Sequence, residues 1–262
     1  MPLRKSPPEK EVRKAAEIVA RALETLKLST TEGVSLLELE KIAQEAIRAQ
    51  GAVSYNKGYK PEWSQVPYPA VLCVSVNEEV AHGIPTDRKL KKWDLVTYDL
   101  GIKYKSACGD AAITVPVGEP LPRDARLLRY SMQCLQEGIK KVHDGVSIGE
   151  LQRAMENYAR LNGYSIVKDY AGHGIGFDMH EEPLIPHFYD INNPRQDILT
   201  EGQVICLEPI LTPGNGVIYM KEDKWTTATI DRQKASMFEV MLLVTKEGSE
   251  ILTPNLLIPY IS

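Results

Sequence analysis

Four carboxylates stand where a carboxylate is costly. Asp99 lies in Leu95-Val96-Thr97-Tyr98-Asp99-Leu100, and Asp110 opens Ala111-Ala112-Ile113-Thr114-Val115. Glu208 lies in Val204-Ile205-Cys206-Leu207-Glu208-Pro209, and Glu239 sits between Met237-Phe238 and Val240-Met241-Leu242-Leu243-Val244. Each is the lone anion of an apolar, strand-like run. An isolated buried carboxylate is expensive unless it is paired or binds a cation. Taken singly, a strand carboxylate more often faces solvent or pairs with a Lys. Taken together the four resist that reading, because no Lys or Arg stands beside Asp110, Glu208 or Glu239 as a local counter-ion.

The five histidines sharpen the case. His173 sits in Ala171-Gly172-His173-Gly174-Ile175-Gly176, whose three glycines are expected to let the backbone pass close to something bulky or charged. The run is not a dinucleotide fingerprint, since it lacks that spacing and context. A histidine in a turn is often structural, but with four carboxylates waiting His173 reads as a metal ligand. His180 follows in Met179-His180-Glu181-Glu182-Pro183, and His82 lies in Ala81-His82-Gly83-Ile84-Pro85 after a strand. His143 falls in the last turn of a predicted helix, where a dipole or solvent role is the better reading. His187 has no readable context.

The elements that must position these groups come in a repeated order. Glu9 to Leu28 carries a helical stripe of Val12, Ala15, Ala16, Val19, Leu23 and Leu26, with a cap expected from Ser6, Pro7 and Glu9. Ser35 to about Gln50 is a second helix, opened by a Ser35–Glu38 capping box and stopped by Gly51. The Pro- and Tyr-rich stretch from Tyr55 to Pro69 reads as a loop. Strands are expected at Val71–Val76, Asp94–Tyr104 and Ala111–Val115. Helices then return over Arg123–Val142 and Ser147–Leu161, the latter with a Ser147–Glu150 capping box. Strands follow at Ser165–Val167, Gln203–Leu211, Val217–Met220, Trp225–Ile230 and Phe238–Thr245. Helix, helix, strands, twice over, suggests a duplication. Residues 33–51 match residues 145–163 at seven of 19 positions. Two such halves, about 9–120 and 121–250, predict an α+β fold. Its pseudo-twofold antiparallel sheet would be covered by helices on one face, in a single domain spanning 1–262.

Composition narrows the function class. The chain has 262 residues, 43% apolar and 25% charged, with a net charge of −4. That is an ordinary globular protein, and it gives no electrostatic case for nucleic acid. No apolar run is long enough to cross a membrane, and the first eight residues show no secretory signal. The four cysteines, Cys73, Cys108, Cys134 and Cys206, form no C-x-x-C pair, which argues for a reducing, cytoplasmic setting.

On these segments the chain resembles the type I methionine aminopeptidases of the pita-bread fold. The matching motifs are Asp94–Asp99, Gly109-Asp110, Gly172–Gly176, His180–Pro183, Leu207-Glu208-Pro209 and Phe238-Glu239, specific as a set and weak one by one. The resemblance runs from Glu9 onward. It implies five metal ligands, Asp99, Asp110, His173, Glu208 and Glu239, holding two divalent ions. Asp110 and Glu239 would bridge, Asp99 would chelate one ion, and His173 and Glu208 would complete the other. Four carboxylates against two divalent cations and a shared hydroxide leave the site near −1. An oxygen-rich set with one imidazole suits Mn, Fe(II) or Co, with Zn as the alternative. The implied reaction removes N-terminal methionine, with a metal-bridging hydroxide as nucleophile. Glu208 is the general base and acid, His180 stabilises the oxyanion, and His82 positions substrate. A methionine pocket would be built from Cys73, Tyr68 or Tyr59, Met179 and Trp225. Met179 departs from the aromatic residue common in relatives. The N-terminal zinc-binding extension of eukaryotic relatives is expected to be absent, which points to a bacterial or organellar style of enzyme.

The implied substrate is the N-terminus of a nascent polypeptide and the implied state a monomer, with ribosome association left open. The alternatives are an Xaa-Pro aminopeptidase or dipeptidase of the same fold, and a non-catalytic peptide-binding module. A metal-dependent phosphohydrolase would want Lys or Arg near the ligands, and none is there.

Overall fold

In the computed structural model, which describes residues 6–192 and 194–256, the predicted stripes become two successive sets of paired helices and short strands. The reading of the first eight residues as free of a signal falls largely on residues 1–5, outside the described ones. Helices α1 (Glu9–Ser29) and α2 (Leu36–Arg48) precede β1 (Val53–Ser54), β2 (Cys73–Val76), β3 (Glu79–Ala81), β4 (Leu95–Asp99), β5 (Ile102–Tyr104), β6 (Ala107–Gly109) and β7 (Ala112–Pro116). Helices α3 (Pro122–Ile139) and α4 (Ile148–Leu161) precede β8 (Ser165–Ile166), β9 (Ala171–Gly174), β10 (Glu181–Pro186), β11 (Val204–Leu207), β12 (Ile210–Thr212), β13 (Ile218–Met220), β14 (Thr227–Thr229), β15 (Ser236–Met237), β16 (Val240–Val244) and β17 (Ser249–Ile251).

The α1 stripe is buried as expected, from Val12 to Leu26, and lies on β5, β6 and β7, while α3 lies on β11, β12 and β15. Helix ends differ from the sequence reading in three places. Ser6 does not cap α1, because Pro8 is the N-cap and its carbonyl accepts from the Glu11 and Val12 amides. Ser35 and Glu38 do form the reciprocal capping box, with the Ser35 amide donating to Glu38 at 2.8 Å. Ser147 makes no side-chain cap. Backbone meets the first turn of α4 instead, with Ile148 N–H donating to Asp197 O and Glu150 N–H to Ser147 O. Helix α3 ends at Ile139, so His143 sits in the following turn, its Nδ1 2.8 Å from Asp144 O.

The duplication is visible in how each half ties its helix pair down. In the first half the Gly33 amide donates to Leu90 O, Leu36 to Arg88 O and Leu90 to Val34 O. In the second, Gly145 donates to Leu199 O, Ile148 to Asp197 O and Leu199 to Val146 O. The same three-bond clamp holds both helix starts, at equivalent residues.

The expected single sheet is divided. Among the described residues the strands form antiparallel ladders in the orders β2-β4-β7, β1-β5-β6, β10-β9-β11-β16-β17, β15-β12-β8 and β13-β14-β3. The divisions have a physical cause at the carboxylates. Asp99 ends β4 before the chain turns into β5, Asp110 lies between β6 and β7, Glu208-Pro209 separates β11 from β12, and Phe238-Glu239 separates β15 from β16. At each point the chain leaves one ladder for another, so the runs predicted as one strand over Asp94–Tyr104 and Gln203–Leu211 each become two. The halves meet there too, where the Glu239 amide donates to Ala112 O at 2.9 Å.

Candidate metal centre

The four ladder crossings aim their carboxylates at one place. Oxygens of Asp99, Asp110 and Glu239 lie within 4.8 Å of one another. The His173 Nε2 is 3.8 Å from Asp110 Oδ2 and 3.6 Å from Glu208 Oε1. Both are too long for hydrogen bonds and suit atoms that share a third body. Asp110 is 7% exposed, His173 4% and Glu239 2%. Among the described residues no Lys or Arg pairs with any of the four carboxylates. Asp110 Oδ1 and Glu239 Oε1 are buried with no hydrogen-bond partner. Crowded, buried, uncompensated carboxylates with orphaned oxygens are what a divalent cation would satisfy, so the donor set fits metal.

Electrostatics agree. Burial pushes the Asp99 carboxyl up to about 7. Burial, and then the neighbouring carboxylates, push Asp110, Glu208 and Glu239 well above the usual carboxylate range. Burial, with His180 alongside, lowers His173 to about 4. His173 is therefore neutral. Its Nδ1 lies 3.0 Å from Gly174 O, so that nitrogen carries the proton and Nε2 presents a lone pair to the carboxylates.

The glycines around His173 serve the neighbouring chain rather than a ligand. A Cβ on Gly172 would lie 2.3 Å from Cys206 O, and one on Gly174 2.4 Å from Glu182 O. The bulky group anticipated from the sequence is thus the backbone of β11 and β10, packed tight against β9. Gly176 meets the Glu181 carboxylate.

A cavity of about 550 Å³ opens beside the carboxylates, with Asp99, Asp110 and Glu208 in its wall. All the residues singled out for a side-chain pocket line it: Tyr59, Tyr68, Cys73, Met179 and Trp225. Tyr68 is spoken for, its hydroxyl donating to Gly83 O at 2.7 Å, while Tyr59 reaches His180 Nδ1 at 3.2 Å. His180 also packs edge-on to His173, with ring centroids 4.5 Å apart. His82 sits at the other side, in the left-handed region at φ 56°, with its ring between Trp63, Tyr170 and Trp225. That turn needs Gly83, where a Cβ would be 2.1 Å from Val74 O. Burial lowers His82 to about 4.

Sequence reasoning missed several contributors. Trp63, Tyr170 and the β13–β14 hairpin, through Ile218, Tyr219 and Met220, complete the cavity. The aromatic density of residues 55–69 hinted at Trp63 alone. It also missed His187, which is fully buried, and whose Nε2 accepts from the Gly172 and Glu208 amides, both at 3.2 Å. A histidine seven residues after His180 was the only available signal, and it says nothing about a partner on β11.

The model of metallopeptidase family M24 matches residues 10–246. The methionine aminopeptidase of Aquifex aeolicus is 38% identical over 93% of this chain and 95% of its own length. Methionine aminopeptidase 1 of Bacillus subtilis is 37% identical over 92% of this chain and 94% of its own. The crystal structure of the Thermotoga maritima methionine aminopeptidase superposes with a TM-score of 0.89 at 33% identity, covering 95% of this chain and 98% of that one.

Proposed function

The chain belongs to metallopeptidase family M24, and from that premise we propose how its residues remove an N-terminal methionine. It is a metal-dependent aminopeptidase of the pita-bread fold. We infer two divalent ions, one held among Asp99, Asp110 and Glu239, the other among Asp110, His173, Glu208 and Glu239. Oxygen-rich ligation with one imidazole favours Mn, Fe(II) or Co over Zn. When bound, such ions supply an acidified water and polarise the scissile carbonyl. The two halves act as one catalytic domain, since each donates ligands to the same centre.

The chain's own groups divide the remaining work. Glu208, at the cavity wall and raised in pKa by burial and by Asp110, takes a proton and returns it to the leaving amine. His180, whose Nδ1 lies 3.2 Å from the Tyr59 hydroxyl, donates a hydrogen bond towards the oxygen of the scissile carbonyl. His82, held neutral, orients the peptide nitrogen. Cys73, Tyr59, Tyr68, Met179 and Trp225 form a mostly apolar slot for an unbranched thioether side chain. Asp99 would help to hold the ion that takes the free α-amine, which would restrict cutting to chain termini. The substrate is the N-terminus of a newly made polypeptide, and one copy of the chain carries every group needed.

The observation that carries this reading is the convergence of the five ligand groups beside a slot of the right size. The near-complete coverage of methionine aminopeptidases favours it over the Xaa-Pro reading. The test is cleavage of Met-Ala-Ser against an Xaa-Pro peptide, with wild type and Glu208→Gln. Wild type should release methionine and leave the Xaa-Pro peptide intact, and the variant should lose about 100-fold or more in kcat. Preferential Xaa-Pro cleavage, or a fully active variant, would overturn it.

A further inference from the structure

The Cys206 thiol takes no part in this chemistry, yet it lies against the centre. Cys206 is the register partner of His173 across β11 and β9, which places the two side chains next to each other on one face of the sheet. Its Sγ, a His173 nitrogen and a Glu239 oxygen all lie within 4.8 Å of one another. All three residues are buried, at 0%, 4% and 2% exposure. The Oε1 of Glu239 has no hydrogen-bond partner, and its carboxylate is within hydrogen-bond reach of the Cys206 thiol. Two of these three residues belong to the oxygen-rich set as well. The third adds a soft donor that the oxygen-rich set lacks.

We propose that Cys206, His173 and Glu239 form a second, alternative cation site that takes thiophilic divalent ions such as Cd2+ or Zn2+. One thiolate, one imidazole and one carboxylate make the mixed sulfur, nitrogen and oxygen set that these ions accept in tetrahedral coordination, with a fourth position open. Binding exchanges the thiol proton for the metal. The S–H bond breaks, the proton leaves to solvent, and the sulfur lone pair forms the metal bond with no change of oxidation state. Hard ions such as Mn2+ gain little from sulfur and stay with the carboxylates. Occupying the soft site draws His173 and Glu239 out of the hard set, so a thiophilic ion competes with the activating ions through shared ligands. The inference rests on the metal-site reading above, because it borrows two of that site's residues.

The test is an optical titration of the metal-free full-length chain with Cd2+, followed by its ultraviolet thiolate-to-cadmium charge-transfer band. Wild type and Cys73→Ser should develop the band at one equivalent. Cys206→Ser should lack it and still bind Mn2+ as wild type does. Cys206→Ala serves if the serine variant fails to fold. Added Mn2+ should lose at least tenfold in apparent affinity when Cd2+ occupies wild type, and far less in the Cys206 variants. A Cd2+ band unchanged in both Cys206 variants, or absent from a wild type that binds Mn2+, overturns this inference and leaves the functional reading intact. A wild type that binds neither ion overturns both.

Discussion

His187 offers a test at a residue that is not itself among the proposed metal ligands. Its ring is buried and burial lowers it to about 3, so it is neutral. Nε2 accepts two amides, Gly172 on β9 and Glu208 at the β11 exit, which puts the proton on Nδ1, where it finds no partner. His187→Leu would orphan two buried N–H donors, at about 1–3 kcal/mol each. It would also remove the unsatisfied Nδ1–H, returning about 1–3 kcal/mol. The net expectation is about 1–3 kcal/mol lost, read by urea unfolding of the metal-free protein. Glu208 would lose the acceptor that fixes its amide. A drift of its carboxylate by about 1 Å is worth up to about 100-fold, so kcat on a methionyl peptide should fall by about 10- to 100-fold with KM changed much less. His187→Gln, whose amide oxygen can accept an N–H, should recover part of both losses. A leucine variant within about 0.5 kcal/mol of wild type and within about twofold in kcat would refute the reasoning.

Three further outcomes follow from the same geometry. Gly172→Ala would place a methyl 2.3 Å from Cys206 O, so β9 and β11 must part, and thermal unfolding should show a loss of about 1–3 kcal/mol. His82 has a folded pKa of about 4 against its ordinary 6.5, so the unfolded chain takes up the proton first. Stability present above pH 6.5 is therefore lost as pH falls towards 4. The span caps this at about 3 kcal/mol, and the cavity-facing ring trims it to about 1–2 kcal/mol. His82→Gln should flatten that limb by this amount in unfolding titrations run from pH 7.5 to 4.5, and an unchanged limb would count against the burial argument. Supplying Mn2+ at about 100 times its dissociation constant should stabilise the metal-free protein by about 2.7 kcal/mol per site, and chelation should reverse it.

The four carboxylates stood out as a group because charge and burial conflict openly at Asp99, Asp110, Glu208 and Glu239, and that conflict is local to each run. The helices were legible because a stripe such as Val12 to Leu26 is also local. What stayed hidden depends on long-range pairing. The break at Glu208-Pro209 is invisible in an apolar run, since it exists only because β11 and β12 pair with different partners. Ser147 and Glu150 carry the spacing of a capping box, but backbone from 197 reached the helix start and no side-chain cap formed. The strands at 79–81, 107–109 and 249–251 carried too few residues to show an alternation, and those at 171–174 and 181–186 are interrupted by glycines and prolines that read as turns. The roles of His187 and of Trp63 and Tyr170 lie entirely in what they meet across the fold.

Cutting requires that the centre bind divalent ions. The direct measurement is a titration of chelator-stripped protein with Mn2+, counting bound ions by equilibrium dialysis while methionine release from Met-Ala-Ser is followed in the same samples. The expected result is no release without metal, release that returns as up to two ions bind, and loss of binding with Asp110→Asn. Full release from the stripped protein, or activity restored with no ion bound, would contradict it.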